Sequence, residues 1–307
     1  RLESHGGTGG AAGRHHLFLH GSPGVGKTML AARLPSILPD LAEQEAVEVS
    51  AIHSLAGREL TGLIQRPPYA DPHHSVTPVA LVGGGTSELK PGAISMAHRG
   101  VLFLDEAPDF GAKLDALRTP LEDGTITVSR ARHTTTFPAR FQLIMAANPC
   151  PCGSHGVAGM ECTCDPMRVR RYQERMSGPI LDRIDIKHQM AGINRVLLDV
   201  ASGSAESSAT VLSRVVEARD RQRRRLADTP WSTNGEVPGP YLRQQLSLPT
   251  DLGVLNTALQ RGVLSARGVD KVIRLAWTLT DLAGRDTEKG LDTVNPLLCK
   301  LSGMHHN

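Results

Sequence analysis

Aromatic side chains are scarce in this chain: two Trp, three Tyr and five Phe among 307 residues, or 3%. A base-stacking platform for single strands needs more rings than that, so any grip on nucleic acid is expected to run through the phosphate backbone. Lysine is scarce too: of 34 basic residues only 7 are Lys and 27 are Arg, and the formal net charge is +3. That charge excludes a general polyanion sponge but leaves local basic patches open. The Arg bias favours two-pronged contacts to phosphate and carboxylate. No apolar run approaches the roughly 18–20 residues that span a bilayer, and no charged-then-apolar signal segment opens the chain. A cytoplasmic location with no membrane partner is the expectation. No internal repeat is found.

Hydrophobic residues make up 40% and charged residues 21%, the composition of a globular protein with a sizeable core. The first residue is Arg1 rather than Met, and the Gly-rich Ser4-His5-Gly6-Gly7-Thr8-Gly9-Gly10 follows. Residues 1–13 therefore read as a disordered or non-native segment of a fragment. Leu17-Phe18-Leu19-His20, Val101-Leu102-Phe103-Leu104 and Phe141-Gln142-Leu143-Ile144-Met145-Ala146-Ala147 are short apolar runs, alternating with helical patterns at roughly 42–55 and 111–122. Such alternation predicts the α/β class, a parallel sheet covered on both faces and ending near 184–189. Residues 201–208 are small and polar and read as a linker. Beyond it, helical spacing over roughly 209–227, 250–262 and 265–283 predicts an all-helical second domain. The expected domains are 14–200, 209–294 and a tail at 295–307.

Gly21-Ser22-Pro23-Gly24-Val25-Gly26-Lys27-Thr28 fits G-x-x-x-x-G-K-[ST] between a predicted strand and a predicted helix. Its glycines allow backbone N–H groups to turn toward phosphates, Lys27 offers a cation to the β/γ-oxygens, and Thr28 a hydroxyl to Mg²⁺. Asp105 and Glu106 end the second apolar strand, where open α/β sheets place ligands. Asp105 suits Mg²⁺ held through water, and Glu106 suits polarising an attacking water, a hydrolase arrangement. Asn148 ends the third strand; it is either a neutral amide holding that water or a simple turn residue.

With these residues the sequence resembles the AAA+ ATPases related to the magnesium-chelatase ATPase subunit, in the YifB/ComM branch. The further residues carrying the resemblance are Pro67-Pro68-Tyr69-Ala70-Asp71-Pro72-His73-His74-Ser75, Ala80-Leu81-Val82-Gly83-Gly84-Gly85 and Pro91-Gly92-Ala93-Ile94-Ser95-Met96-Ala97-His98. They continue with Ala146-Ala147-Asn148-Pro149-Cys150-Pro151-Cys152-Gly153, Ser177-Gly178-Pro179-Ile180-Leu181-Asp182-Arg183-Ile184-Asp185 and Leu264-Ser265-Ala266-Arg267-Gly268. The resemblance covers roughly residues 14–285. It implies a P-loop AAA+ core plus helical lid, assembled as a homo-oligomeric ring, commonly a hexamer, that hydrolyses ATP with Mg²⁺. It makes Asn148 the first sensor, Arg183 an arginine finger toward a neighbour and Arg267 the lid's sensor arginine; from sequence alone, Arg183 reads as an ion pair with Asp182 or Asp185. Members of the branch typically also carry a Lon-protease-like domain upstream, which these residues lack. The resemblance further implies binding of single-stranded or branched DNA with helicase-like branch migration during recombination or natural transformation. The alternative is a chelatase-like ATPase that remodels a protein partner.

A hairpin expected over 124–137 carries Arg130 and Arg132, which are either backbone contacts to DNA or charges that guard a sheet edge. Cys150, Cys152, Cys162 and Cys164 lie in one loop, 150–164, as two C-x-C pairs, with Cys299 apart. They read either as four thiolates on a structural zinc ion, with His155 as a substitute ligand, or as reduced thiols in an ordered loop.

Overall fold

The computed structural model describes residues 2–85, 88–130, 133–157, 159–190, 206–245, 253–262 and 264–285. They fall into two compact units. The first runs from Leu17 to Ile184 and resumes at His188; the second gathers the residues up to His16, Asp185–Lys187 and those from Glu206 onward.

Strands β1 (Leu17–His20), β2 (Tyr69–Ala70), β5 (Val101–Leu104) and β8 (Gln142–Ala147) of the first unit form a sheet with β9 (Ile186–Gln189), of which only His188–Gln189 belong to that unit, in the order β2-β5-β8-β1-β9. Pairing between β2 and β5, β5 and β8, and β8 and β1 is parallel. Every residue of β5 and β8 is buried, which is why both read as unbroken apolar runs rather than alternating ones. The predicted α/β class is the observed one. Helices α2 (Lys27–Arg33) and α3 (Glu43–Leu55) follow β1. The core on one side packs Leu102, Leu104, Leu143 and Met145 against Phe110, Leu114, Leu117 and Ile180. Where one helix is expected over 111–122, the chain instead forms a 3₁₀ segment, Gly111–Leu117, and a short α-helix, Arg118–Asp123. Strands β6 (Thr125–Arg130) and β7 (His133–Pro138) make the expected hairpin, with Arg130 paired to His133 in register.

In the second unit the expected linker gives way at Ser207, whose side chain caps a helix starting at Ser208 by accepting from Thr210 N–H. The helical elements there are Ser208–Arg225, Gly239–Gln245, Gly253–Gln260 and Ala266–Leu282, with Leu226, Val237, Leu242, Val272, Ile273 and Trp277 in the core. The expectation of a disordered 1–13 is corrected: Leu2–Gly13 is a helix, buried from Gly7 on. Its small residues serve close packing. Arg219 donates through Nε and Nη2 to Ala11 O at 3.0 and 2.6 Å, and a Cβ at Gly13 would lie 2.5 Å from Thr278 Oγ1. Residues 14–16 also belong to this unit rather than to the expected 14–200 core. The 295–307 tail and Cys299 lie outside the described residues.

Candidate functional site

Strand register builds the site. His20 pairs with Ala147 and Leu104 with Met145, so Gly21, Asp105 and Asn148 leave the sheet at the same edge. Gly21 N–H donates to Ala147 O at 3.3 Å, fastening the start of the loop to β8. Within the loop Gly24 and Gly26 take φ of 79° and 89°, the left-handed region that strains any residue with a Cβ.

Lys27 opens α2 yet folds back into the loop. Its buried Nζ donates to Gly21 O at 2.7 Å, Ser22 O at 2.9 Å and Asn148 Oδ1 at 2.9 Å. Burial holds its pKa below the ordinary lysine value, opposed by the carboxylate of Asp105. Burial and the Lys27 charge both lower the pKa of His20, which keeps that ring neutral beside the ammonium. Thr28 Oγ1 donates to Asp105 Oδ2 at 2.7 Å. Two oxygen ligands of the type Mg²⁺ prefers thus lie side by side at the strand edge.

Glu106 adopts φ 51°, an unusual backbone state for a residue with a side chain. Its N–H donates to Asp105 Oδ1 at 2.9 Å, and its half-exposed carboxylate meets His74 Nδ1 at 3.1 Å. Lys113 Nζ donates to the carbonyls of His74 and Val76, the latter at 3.1 Å, and so fixes the turn that presents His74. Tyr172, on the helix Pro166–Glu174, accepts from the backbone N–H of Asn148; burial and the Asp109 carboxylate push its pKa up to about 12, so it stays a neutral phenol. Neither His74 nor Tyr172 received a role from the sequence. His74 sits in the Asp71-Pro72-His73-His74 string, and no spacing links it to Glu106.

The remaining predicted residues lie elsewhere. Arg183 donates through Nη1 to Pro179 O at 2.6 Å and pairs through Nη2 with Glu122. This corrects the sequence-only pairing with Asp182 or Asp185: Asp185 instead meets His15 Nδ1 at 3.4 Å and accepts from His16 N–H. Arg267 is exposed in the first turn of Ala266–Leu282, a helix capped by the Ser265 hydroxyl, which accepts from Gly268 N–H. Of Arg130 only the strand position is described, and Arg132 lies outside the described residues. The Sγ atoms of Cys150, Cys152, Cys162 and Cys164 all lie within 4.8 Å of one another. His155 is not among that group; its backbone N–H donates to Cys150 Sγ at 3.3 Å. Among the described residues no helix is long and apolar enough to cross a membrane.

A family model described as "Magnesium chelatase, subunit ChlI" matches residues 9–197, and a second, "Magnesium chelatase, subunit ChlI C-terminal", matches 205–293. The chain is 50% identical over 290 residues to an uncharacterized protein of Mycobacterium tuberculosis, covering 92% of this chain and 56% of the relative. It is 42% identical to the uncharacterized protein YifB of Escherichia coli, covering 90% and 54%. It is 41% identical to the competence protein ComM of Haemophilus influenzae, covering 89% and 53%. The chain thus spans about half the length of the curated relatives it matches. Over the sheet unit that carries the loop, and again over the helical unit, this chain belongs to the magnesium chelatase ChlI family, close to YifB and ComM.

Proposed function

We propose that this chain binds ATP with Mg²⁺ and hydrolyses it within a ring of its own copies, a hexamer by analogy with AAA+ proteins, to move or remodel DNA. One observation carries the nucleotide reading: the phosphate loop, Lys27, Thr28, Asp105 and Asn148 converge at one strand edge, tied by the Lys27–Asn148 and Thr28–Asp105 hydrogen bonds. In this reading the carbonyls and amide that hold Lys27 Nζ yield it to the β- and γ-phosphate oxygens. The paired Thr28 and Asp105 oxygens would hold Mg²⁺, which would supply positive charge against that of the phosphates. Glu106 takes the proton of the attacking water, once its carboxylate turns from His74. Asn148, its backbone held by Tyr172, orients that water without adding charge. Arg183 leaves Glu122 to reach the neighbouring copy's γ-phosphate, and Arg267 senses nucleotide from the lid, each stabilising charge that grows on the phosphoryl oxygens. ATP and Mg²⁺ are the cofactors of this reading, and the thiol cluster takes part in none of its steps.

The DNA part rests on the β6–β7 hairpin, whose first strand ends at Arg130, with Arg132 two residues further in the sequence, and on the likeness to a competence protein. Helicase-like branch migration is the activity expected of it. ATP turnover measured against protein concentration, with and without forked or single-stranded DNA, tests turnover, assembly and partner together. Specific activity is expected to rise with concentration as copies assemble, and to rise further with DNA. Turnover indifferent to DNA, with no binding at low salt, sinks the DNA part and favours a protein partner.

A further inference from the structure

We propose that Cys150, Cys152, Cys162 and Cys164 hold one zinc ion through four thiolates, and that this ion fastens the 150–164 loop against the phosphate loop, so that nucleotide affinity depends on the bound zinc. The coupling rests on the nucleotide reading above; the metal site does not.

The sulfur geometry argues for a metal. Cys150 Sγ lies 3.3 Å from Cys152 Sγ and 3.7 Å from Cys162 Sγ, and Cys152 and Cys162 are 3.6 Å apart. A zinc tetrahedron with Zn–S of about 2.3 Å has edges of about 3.8 Å, close to these separations. A disulfide needs about 2.05 Å, and all four cysteines are free. Packing does not explain the cluster either, since Cys152 is exposed and Cys162 and Cys164 only partly covered. On binding, each thiol releases its proton to solvent, and four protein ligands leave no open position, so the ion is structural.

Among the described residues from Ser154 to Met160, the backbone–backbone bonds are local turns, Val157 N–H to Ser154 O and Met160 N–H to Val157 O; His155 N–H goes to Cys150 Sγ, and the Met160 side chain is exposed. Irregular connections of this length are uncommon in compact domains and usually serve a function. The other face of the 150–164 loop is the phosphate loop. Gly153, at φ 82°, passes so near Pro23 that a Cβ there would lie 2.3 Å from Pro23 Cδ. Gln173 Nε2 donates to Pro149 O at 3.1 Å, between Cys150 and Asn148, the residue that receives Lys27. A metal that fixes Cys150 and Cys152 therefore fixes the neighbours of both Pro23 and Asn148.

The test uses the whole chain, purified reduced. Elemental analysis should give one zinc per chain, and replacement by Co²⁺ should give the intense visible bands of tetrahedral cobalt thiolate. Zinc stripped with a mercurial and chelator, then re-reduced, should weaken ATP-analogue binding at least tenfold, with recovery on adding zinc back and far-UV circular dichroism otherwise retained. Gly153→Ala, which keeps all four ligands but cannot approach Pro23, should retain zinc and bind nucleotide more weakly. No retained zinc and no cobalt spectrum overturns the site. Unchanged nucleotide affinity in the metal-free chain overturns the coupling. A chain that keeps its zinc but binds no nucleotide overturns the nucleotide reading and the coupling with it, while the metal site stands.

Discussion

Replacing Glu106 by Gln tests the proposed chemistry most directly, because the structure separates that side chain from the groups that would hold nucleotide. Its carboxylate meets His74, whereas Lys27 is tied to Gly21, Ser22 and Asn148, and Thr28 to Asp105. Glu106→Gln keeps the size of the side chain and removes its basicity. The lost contact with His74 is half exposed, so its cost to folding is at most about 1 kcal/mol. A positioned general base contributes about 10²–10⁴ in rate, or roughly 3–5 kcal/mol of barrier. Steady-state turnover should therefore fall at least a hundredfold, while the dissociation constant for ATP stays within about threefold. Lys27→Ala should behave in the opposite way. Two charge-assisted bonds to phosphate at about 1.5–3 kcal/mol each put the loss of affinity at roughly 10²–10⁴. Phosphate-release kinetics and equilibrium titration with a fluorescent nucleotide read the two quantities separately. If Glu106→Gln turns over ATP within tenfold of the parent chain, the water-activating role is wrong.

Arg183→Ala alone should be inactive, and mixing it with Glu106→Gln chains should restore part of the turnover, since each supplies what the other lacks across a subunit boundary; full activity of Arg183→Ala alone would refute a role in trans. In the helical unit Arg225 donates to both oxygens of Asp281, at 2.9 and 2.7 Å, and Asn234 Nδ2 adds a third bond at 3.0 Å to a side chain only 2% exposed. Arg225→Leu strands that carboxylate and should cost about 3–5 kcal/mol, less when combined with Asp281→Leu. Both tryptophans, Trp231 and Trp277, lie in this unit, so denaturant unfolding followed by their fluorescence measures the loss. Burial, against the opposing pull of Asp185, lowers the pKa of His16 from 6.5 to about 4. Between those values the unfolded chain takes up a proton that the folded one refuses, so stability falls as pH drops from 6.5 toward 4, by about 2 kcal/mol at pH 5. His16→Gln should flatten that dependence in the same fluorescence assay, and an unchanged pH profile would discard the assignment.

What was legible in the sequence is what strand ends dictate. A parallel strand covered on both faces must be a short apolar run, and whatever follows it in the chain emerges at the ligand-facing edge. Reading three such runs therefore located Gly21–Thr28, Asp105–Glu106 and Asn148 at one edge before any distance was known. The Gly-rich start misled for a related reason. Helix propensity counts each Gly in Leu2–Gly13 as about 1 kcal/mol against a helix. Propensity weighs the isolated segment, and here the missing side chain of Gly13 admits Thr278 against the helix. At Gly13 the residue type that argues against a helix in water is the one this helix needs against its neighbour.

The pairings that escaped sequence reading share a different feature: each joins residues far apart in the chain through at least one side chain whose own neighbours give no pattern. His74 and Glu106 are one case, Glu122 and Arg183 another, Tyr172 and Asn148 a third. In the first two a charged group proposed to act in hydrolysis is held by an internal partner. In the proposed mechanism Glu106 leaves His74 to face water, and Arg183 leaves Glu122 to reach a neighbour. Lys27 follows the same rule, with its ammonium on Gly21, Ser22 and Asn148. Under the proposed mechanism, three such restraints make hydrolysis by the isolated chain slow, with nucleotide and a neighbouring copy together needed to exchange internal partners for phosphate oxygens. Turnover per chain should then rise more steeply than in proportion to concentration at low protein, and His74→Ala, which frees Glu106 alone, should raise the basal rate of the dilute chain without reaching the assembled one. A strictly constant rate per chain from dilute to concentrated protein would show that these pairings impose no such requirement.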